Sequence, residues 1–365
     1  MKIIRVVLTG GGTGGHVYPA LAVADALLKE FPQAEISYIG TENGMENKIV
    51  SKTAFPFYLI TAAGINRKSL LFLWKAVLTN FHGFTTAKKL LKQLKPDIVI
   101  ATGGYVSAPV LMAAVMHRVP VLLHEQNAYP GITNKWISPF VKTVCLTFEE
   151  AGKYFSKNCK KVLTGLPVRD CIIRESNKAR IPHQDKLLLV MGGSQGSRAI
   201  NDLIEPLYDD LISKLGISII HMVGSKEYEE RKAISKQLME KYGFDRLNIT
   251  PYIYNVEEVY AKTDLIIARA GASTISEILT MGIPSVLIPY PFASDNHQQH
   301  NAEHVLHIRA GIMLLEQNLT KEQLYDRIKA LFENKMLLVE LGKNAKLNAK
   351  LNAAQLIVQE VKFLL

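Results

Sequence analysis

Twice in this chain an apolar run ends in a glycine-rich turn that opens straight into a helical pattern. The first turn is Gly10-Gly11-Gly12-Thr13-Gly14-Gly15, after residues 3–9; the second is Gly192-Gly193-Ser194-Gln195-Gly196-Ser197, after 186–191. Around the first, near-continuous apolar runs predict strands at 3–9, 35–39, 57–60, 97–101, 121–124 and 143–146. Around the second they predict strands at 186–191, 217–223, 264–268 and 285–288. Strands that lose the in–out alternation are buried on both faces, which is the condition of a parallel sheet covered by helices. Amphipathic segments such as 18–29 separate them, completing a βαβ rhythm.

That rhythm pauses after Leu163, where Gly165, Pro167 and a polar stretch to about Gln184 intervene. A length of 365 residues suits two domains, and 48% hydrophobic residues can fill two cores. The expected fold class is α/β, with two Rossmann-like doubly wound domains, 1–168 and 169–340, facing across a cleft. Whether a last helix, roughly 341–365, packs back on the first domain is left open. Ligands of open α/β sheets collect at the carboxyl ends of the strands, so both glycine turns are expected to line the cleft.

Several classes are disfavoured. Cys145, Cys159 and Cys171 are odd in number and far apart, which fits neither a disulfide framework nor a zinc site and points to a reducing compartment. Lys2 and Arg5 precede only a short apolar run, read as a first strand rather than a signal peptide. The longest apolar stretch, 108–116, is half of the ~20 residues that a membrane span needs. The first turn formally matches G-x-G-x-x-G, but the next strand ends Ile39-Gly40-Thr41 with Glu42 only beyond it, so a dinucleotide site is poorly supported.

The net charge of +10 is uneven. Between Asn47 and Pro96 there is no Asp or Glu, while Lys48, Lys52, Arg67, Lys68, Lys75, Lys88, Lys89, Lys92 and Lys95 all fall there. Such a patch suits nucleic acid or an anionic lipid surface, and charge alone does not choose. In 69–81, Leu70, Leu73, Trp74, Val77, Leu78 and Phe81 form one helical face for the core to bury, leaving Leu71 and Phe72 surplus beside Lys68 and Lys75. Lys88, Lys92 and Lys95 share a face opposite Leu90, Leu91 and Leu94. Apolar residues ringed by lysines suggest a surface that presses into an anionic bilayer without crossing it; a solvated basic helix pair is the plain alternative.

Polar clusters follow successive strands. His16 stands at the helix start after the first glycine turn, where backbone N–H groups can approach a sugar or phosphate oxygen. Ala101-Thr102-Gly103-Gly104-Tyr105 and His124-Glu125-Gln126-Asn127 follow two further strands. His124 and Glu125 are expected to reach one pocket, as a carboxylate able to orient or charge an imidazole. In the second half, Arg269-Ala270-Gly271-Ala272-Ser273-Thr274 leads into a helix carrying Glu277, an anion cradle with an acceptor for ribose hydroxyls, or else a simple capping arrangement. The run 295–302 is dense in hydrogen-bonding side chains that suit a sugar or a helix cap.

Taken in order, TGGGTGGHVYPA (9–20), ATGGYV (101–106), HEQN (124–127), GGSQG (192–196), RAGAST (269–274) and QQHNA (298–302) closely resemble the MurG-type peptidoglycan N-acetylglucosaminyltransferases of the GT-B superfamily. The resemblance implies a donor, UDP-N-acetylglucosamine, held by the C-terminal domain. Ile253 would contact uracil, Ser194 with Ala272, Ser273 and Thr274 the pyrophosphate, Glu277 the ribose, and Gln298 and Gln299 the amino sugar. Arg169 and Asn127 match further donor-contacting positions. Thr13, Gly14, Gly15 and His16 would face an undecaprenyl-pyrophosphoryl-N-acetylmuramoyl-pentapeptide acceptor, a lipid that explains the basic, apolar region better than nucleic acid does.

The implied reaction is inverting transfer to the acceptor C4 hydroxyl at the cytoplasmic membrane face, by a peripheral enzyme. His16 is the first choice of base, with Glu125 or His124 as support or substitute. The 272–274 helix start, with Arg169 nearby, would carry the departing diphosphate charge, so no obligatory metal or cofactor is expected. Three rivals stand beside this reading: a glycosyl-diacylglycerol synthase of the same fold, a UDP-N-acetylglucosamine 2-epimerase, and a membrane-docked scaffold without turnover.

Overall fold

A computed structural model describes residues 3–64, 70–178 and 186–365, with the backbone alone at 70–73. The chain falls into two compact units, Met1–Val168 with Asn352–Leu365, and Arg169–Leu351.

The first unit is built on a parallel sheet of strands β1 (Arg5–Thr9), β2 (Glu35–Gly40), β3 (Phe57–Leu59), β4 (Ile98–Ala101), β5 (Val121–Glu125), β6 (Thr143–Leu146) and β7 (Lys160–Leu163). Their spatial order is β3-β2-β1-β4-β5-β6-β7. Strand order reverses between β1 and β4, where Thr9 pairs with Ala101, so the turns after both strands emerge side by side. Helices cover both faces, one through Val17, Val23 and Leu27, the other through Ala87, Leu91, Val110 and Leu111.

The second unit repeats the scheme with β8 (Lys186–Met191), β9 (Ile217–Met222), β10 (Leu247–Thr250), β11 (Leu265–Ala268), β12 (Ser285–Leu287) and β13 (Gly311–Met313), in the order β10-β9-β8-β11-β12-β13. Met191 pairs with Ala268, so here too the two turns at the reversal point leave the sheet together. Strands β7, β10 and β13 were not expected from the sequence. Each is a short edge strand of three or four residues; β7 opens with the exposed Lys160 and Lys161, β10 sets the exposed Asn248 between buried Leu247 and Ile249, and β13 lies within an apolar run at 310–315.

The structure corrects two expectations. The segment 341–365 is not one helix. Lys335–Leu347 belongs to the second unit, and Ala353–Leu364 returns to the first, the chain turning between Asn348 and Asn352. Ile357, Val358 and Val361 of the returning helix join the core around Val17 and Leu27, a gross stabilisation of about 5 to 8 kcal/mol for three aliphatic side chains. Lys160 Nζ bonds both oxygens of Glu360 at 2.7 and 2.8 Å.

The second correction concerns the helix Leu70–Leu94. Trp74, Val77, Leu78 and Phe81 face solvent, Trp74 being 67% exposed, where burial in the core was expected. The helix seats its opposite stripe, Ala76, Gly83, Ala87 and Leu91. A Cβ at Gly83 would lie 1.8 Å from the Thr61 carbonyl oxygen, so small residues allow a close approach that the bulky face could not make. Lys92 and Lys95 are exposed, while Leu91 is buried. Arg67, Lys68 and Ser69, and the side chains of Leu70, Leu71, Phe72 and Leu73, lie outside the described residues. Among the described residues no helix is long and apolar enough to cross a membrane.

Candidate functional site

In the first unit the turns after β1, β4 and β5 lie at one rim of the sheet, as the polar clusters predict. Their fit depends on missing side chains. A Cβ at Gly104, which has φ +84°, would sit 2.2 Å from the Gly11 carbonyl oxygen, and one at Gly10 would sit 2.0 Å from Thr102 Oγ1. Gly11 N donates to Gly103 O at 3.2 Å, locking the first two turns. Glu46, fully buried and carried by no motif in the sequence, ties the first of these turns to the segment that follows β2. Its Oε2 accepts from Gly12 N at 3.1 Å, and its Oε1 accepts from Thr41 N at 3.0 Å and Thr41 Oγ1 at 2.5 Å.

The helix Gly14–Glu30 begins here, Thr13 at its N-cap making no side-chain cap. Thr13 and Gly15 are exposed, Gly14 and His16 half-buried. His16 Nδ1 lies 2.9 Å from Thr102 O and 2.9 Å from Gln126 Oε1. Both partners accept, so Nδ1 carries a hydrogen, and when the ring is neutral its lone pair is on Nε2. Tyr105 packs against Gly12 and also lines a pocket of about 340 Å³ with Thr41, Leu59, Thr61, Thr79 and His82, the last two from the helix with the exposed aromatic face.

His124 and Glu125 do not share a pocket, which corrects the expectation of a carboxylate on an imidazole. Successive residues of a strand point to opposite faces, so His124 and Gln126 go one way and Glu125 the other. His124 is fully buried; its Nε2 donates to Gly165 O at 2.9 Å, and its Nδ1 accepts from Gln126 Nε2 at 3.0 Å. Burial pulls its pKa down to about 4, against the Gly165 hydrogen bond, so the ring is neutral. Glu125 Oε1 accepts from Asn127 N at 3.0 Å, and Oε2 from Gly131 N at 3.2 Å and Asn134 Nδ2 at 2.8 Å. Burial raises its pKa, and these donors pull it back only in part. The carboxylate thus shapes the loop 126–134, and Asn127 is half-buried on that loop.

In the second unit the turns after β8 and β11 adjoin. Ser194 is exposed on the first. Gly193, Gly196 and Gly224 all have positive φ, and a Cβ at Gly196 would lie 2.0 Å from Val223 O, so this loop requires its glycines. The helix Ala272–Met281 starts at Gly271 with no side-chain cap, its first residues Ala272, Ser273 and Thr274 buried or half-buried. A helix start of this kind offers N–H groups and the positive dipole end to an anion.

Arg269, only 8% exposed, ties the loops together. Its Nη2 donates to Ser197 Oγ at 2.7 Å, and its Nη1 to Ile288 O at 3.1 Å and Pro289 O at 3.2 Å. Asn301 Nδ2 donates to Ala270 O at 3.1 Å, and Gln298 Oε1 accepts from Tyr290 N at 3.0 Å. Gln299 Nε2 bonds Glu303 on its own helix. Sequence reasoning misses Arg269 and Asn301 as fasteners, although both stand inside motifs that it singles out.

Glu277 and Arg169 are brought together. Glu277 Oε1 accepts from Arg169 Nε at 3.1 Å and Nη2 at 2.9 Å, and Oε2 accepts from Tyr260 Oη at 3.1 Å. Burial raises the Glu277 pKa while Arg169 lowers it, the net shift being upward. Ile253 is half-buried in the loop after β10, between Tyr252 and Tyr254, whose rings lie 5.0 Å apart. Among the described residues no cluster of three or more His, Cys, Asp or Glu could hold a metal ion.

Comparison with known proteins shows the family. Residues 6–146 match the glycosyltransferase family 28 N-terminal domain, and residues 187–357 its C-terminal domain. The chain is 42% identical over 355 residues, 94% of each chain, to the UDP-N-acetylglucosamine--N-acetylmuramyl-(pentapeptide) pyrophosphoryl-undecaprenol N-acetylglucosamine transferase of Desulforamulus reducens. A crystal structure of MurG from Acinetobacter baumannii superimposes with a TM-score of 0.80 at 31% identity, covering 98% of this chain and 99% of that one. A putative UDP-N-acetylglucosamine 2-epimerase from Listeria monocytogenes, at 14% identity and a TM-score of 0.69 over 99% of this chain and 96% of that one, shares the fold alone. With both of its units matched in order and relatives at this identity along nearly all of its length, the chain belongs to glycosyltransferase family 28 and has the GT-B-like α/β fold.

Proposed function

We propose that the protein transfers N-acetylglucosamine from UDP-N-acetylglucosamine, with inversion, to the C4 hydroxyl of undecaprenyl-pyrophosphoryl-N-acetylmuramoyl-pentapeptide. The observation that carries this reading is the likeness, 42% along 94% of both chains, to a transferase bearing that name.

The residues support a division of labour. On the first unit, the acceptor sugar approaches Thr13, Gly14 and Gly15, and its C4 hydroxyl gives its proton to His16 Nε2 as the oxygen attacks the anomeric carbon. On the second, the bond from that carbon to the β-phosphate oxygen breaks, and the electron pair leaves with UDP. The helix start at Ala272, Ser273 and Thr274, with Ser194, meets the developing charge; donors fixed in advance at that point lower the barrier without reorganising. Glu277 takes the ribose hydroxyls, Ile253 the uracil, and Gln298 and Gln299 the amino sugar, with Asn127 as a further donor contact. Arg169 acts through Glu277, whose carboxylate it holds. His124 and Glu125, with their polar atoms bonded inside the fold, take positioning roles in this reading. Charge stabilisation by backbone N–H groups leaves no obligatory task for a metal.

The acceptor's lipid explains the exposed face of Leu70–Leu94. Trp74, Val77, Leu78 and Phe81, with Lys75, Lys89 and Lys92 beside them, dock reversibly on the anionic cytoplasmic surface of the membrane, each lysine contributing roughly 1 kcal/mol.

Purified protein incubated with radiolabelled UDP-N-acetylglucosamine and a short-chain lipid-linked muramyl acceptor should form labelled disaccharide lipid, with and without EDTA. Conversion of the donor without acceptor would identify an epimerase, transfer to diacylglycerol a glycolipid synthase, and absence of any turnover a scaffold.

A further inference from the structure

We propose that Gln126 and His124 are positioning residues that hold His16 in the one neutral tautomer able to take a proton at Nε2. The proposal rests on the transferase reading only for its kinetic consequence; the tautomer itself follows from the hydrogen bonds.

Two backbone carbonyls set the direction of the chain. Gly165 O can only accept, so His124 Nε2, 2.9 Å away, carries its ring's hydrogen. The ring is neutral, so His124 Nδ1 is bare and requires a donor, which Gln126 Nε2 supplies at 3.0 Å. The same amide nitrogen also donates to His124 O at 3.1 Å. A primary amide has one donor end and one acceptor end, so Gln126 Oε1 must face His16 Nδ1, at 2.9 Å. Thr102 O, the second carbonyl, also lies 2.9 Å from that nitrogen and likewise only accepts. His16 Nδ1 is thus obliged to carry hydrogen, although free histidine favours the opposite tautomer.

Reversing the amide would set its NH2 group against the His16 N–H and its oxygen against the His124 lone pair. Gln126 is only 3% exposed, so water offers no replacement for either bond. The imidazole is therefore oriented by an amide and a carbonyl, with no carboxylate in the chain. When the acceptor O–H bond breaks and its proton joins Nε2, the resulting imidazolium still donates from Nδ1 to the same two oxygens. No atom in the chain has to turn, so the site is prepared before the chemistry begins. Gly103 makes room for this geometry, since a Cβ there would stand 3.3 Å from both His16 Nδ1 and Asn134 Nδ2.

The test uses the full chain labelled with 15N-histidine, with His16→Gln identifying the His16 signals. Long-range 15N–1H correlation of the wild type near neutral pH should show His16 protonated at Nδ1 and bare at Nε2. In Gln126→Met, which keeps length and apolar volume but has neither amide end, Thr102 O alone holds Nδ1, and the share of the Nε2–H tautomer of His16 should rise measurably above wild type. Its kcat should fall roughly tenfold or more with the UDP-N-acetylglucosamine KM within about twofold, the pattern of a lost transition-state role. In Gln126→Glu, whose carboxylate still accepts from Nδ1, the His16 tautomer should persist. An Nε2–H tautomer in the wild type overturns the proposal without any variant having to fold. An unchanged tautomer and kcat in Gln126→Met overturn it as well. The expected tautomer together with no turnover on the lipid-linked acceptor would instead refute the transferase reading and leave the hydrogen-bond chain standing.

Discussion

Replacing Glu125 by Gln tests whether this residue holds a loop or moves a proton. The side chain is 1% exposed, and its two oxygens divide the donors between them: Asn127 N and Nδ2 on Oε1, Gly131 N and Asn134 Nδ2 on Oε2. An amide nitrogen placed at either oxygen meets two donors with a third, whichever way it is turned. Two hydrogen bonds to a charged acceptor are lost, each contributing about 1.5 to 3 kcal/mol, and the relief of no longer burying a charge offsets part of that. The net cost should be about 2 to 4 kcal/mol, a fall of roughly 5 to 15 °C in the melting temperature of a unit this size. The sign with pH follows from burial, the dominant cause, which raises the carboxyl pKa in the fold. An acid so shifted contributes stability that is fully present below its ordinary pKa and is lost as pH rises through the raised value. The wild type should therefore lose stability across that window, and the Gln variant, with nothing to titrate there, should not. Calorimetry of both proteins over a pH series gives the comparison. A melting temperature within about 2 °C of wild type, joined to a kcat lower by roughly a hundredfold, would refute the loop-anchor account and return Glu125 to the candidate bases.

Three further outcomes are expected. His16→Ala should lower kcat by roughly a hundredfold or more with donor KM within about threefold; a kcat within about threefold of wild type in steady-state kinetics would remove His16 as the base. Glu277→Ala should chiefly raise the KM for UDP-N-acetylglucosamine. Because Arg169 is 45% exposed, the lost ion pair should cost no more than about 1 kcal/mol of stability, and an unchanged donor KM would take Glu277 out of the ribose site. Trp74→Ser with Phe81→Ser should weaken sedimentation with anionic vesicles by at least about tenfold, since both rings already face water in the fold and their burial is gained only at the surface. Equal binding by the double variant would move the docking face elsewhere.

Much of this architecture was legible in the residues because it rests on local rules. A strand buried on both faces must be apolar at nearly every position, and a turn that reverses between sheet and helix against another backbone must be glycine; both marks are written in consecutive letters at 3–15 and 186–197. Runs that follow neighbouring strands had to meet at one rim, and the clusters after β1, β4 and β5 do.

What only the tertiary structure decided is which side chain each polar atom meets. Glu46 at the first glycine turn and Arg269 across the second unit's loops act through partners between 5 and 72 residues away, and no spacing encodes those. The helix Leu70–Leu94 shows the same limit, since periodicity marked only the bulky face for burial, and the close backbone approach at Gly83, where a Cβ would stand 1.8 Å from Thr61 O, seats the small face on the core instead. His124 and Glu125 are adjacent letters with opposite destinations, one joined through Gln126 to His16 and the other to the loop at Gly131. Backbone preference is a property of neighbours in the chain and can be read there. Hydrogen-bond direction and close packing are properties of neighbours in space, and they exist only once the chain has folded.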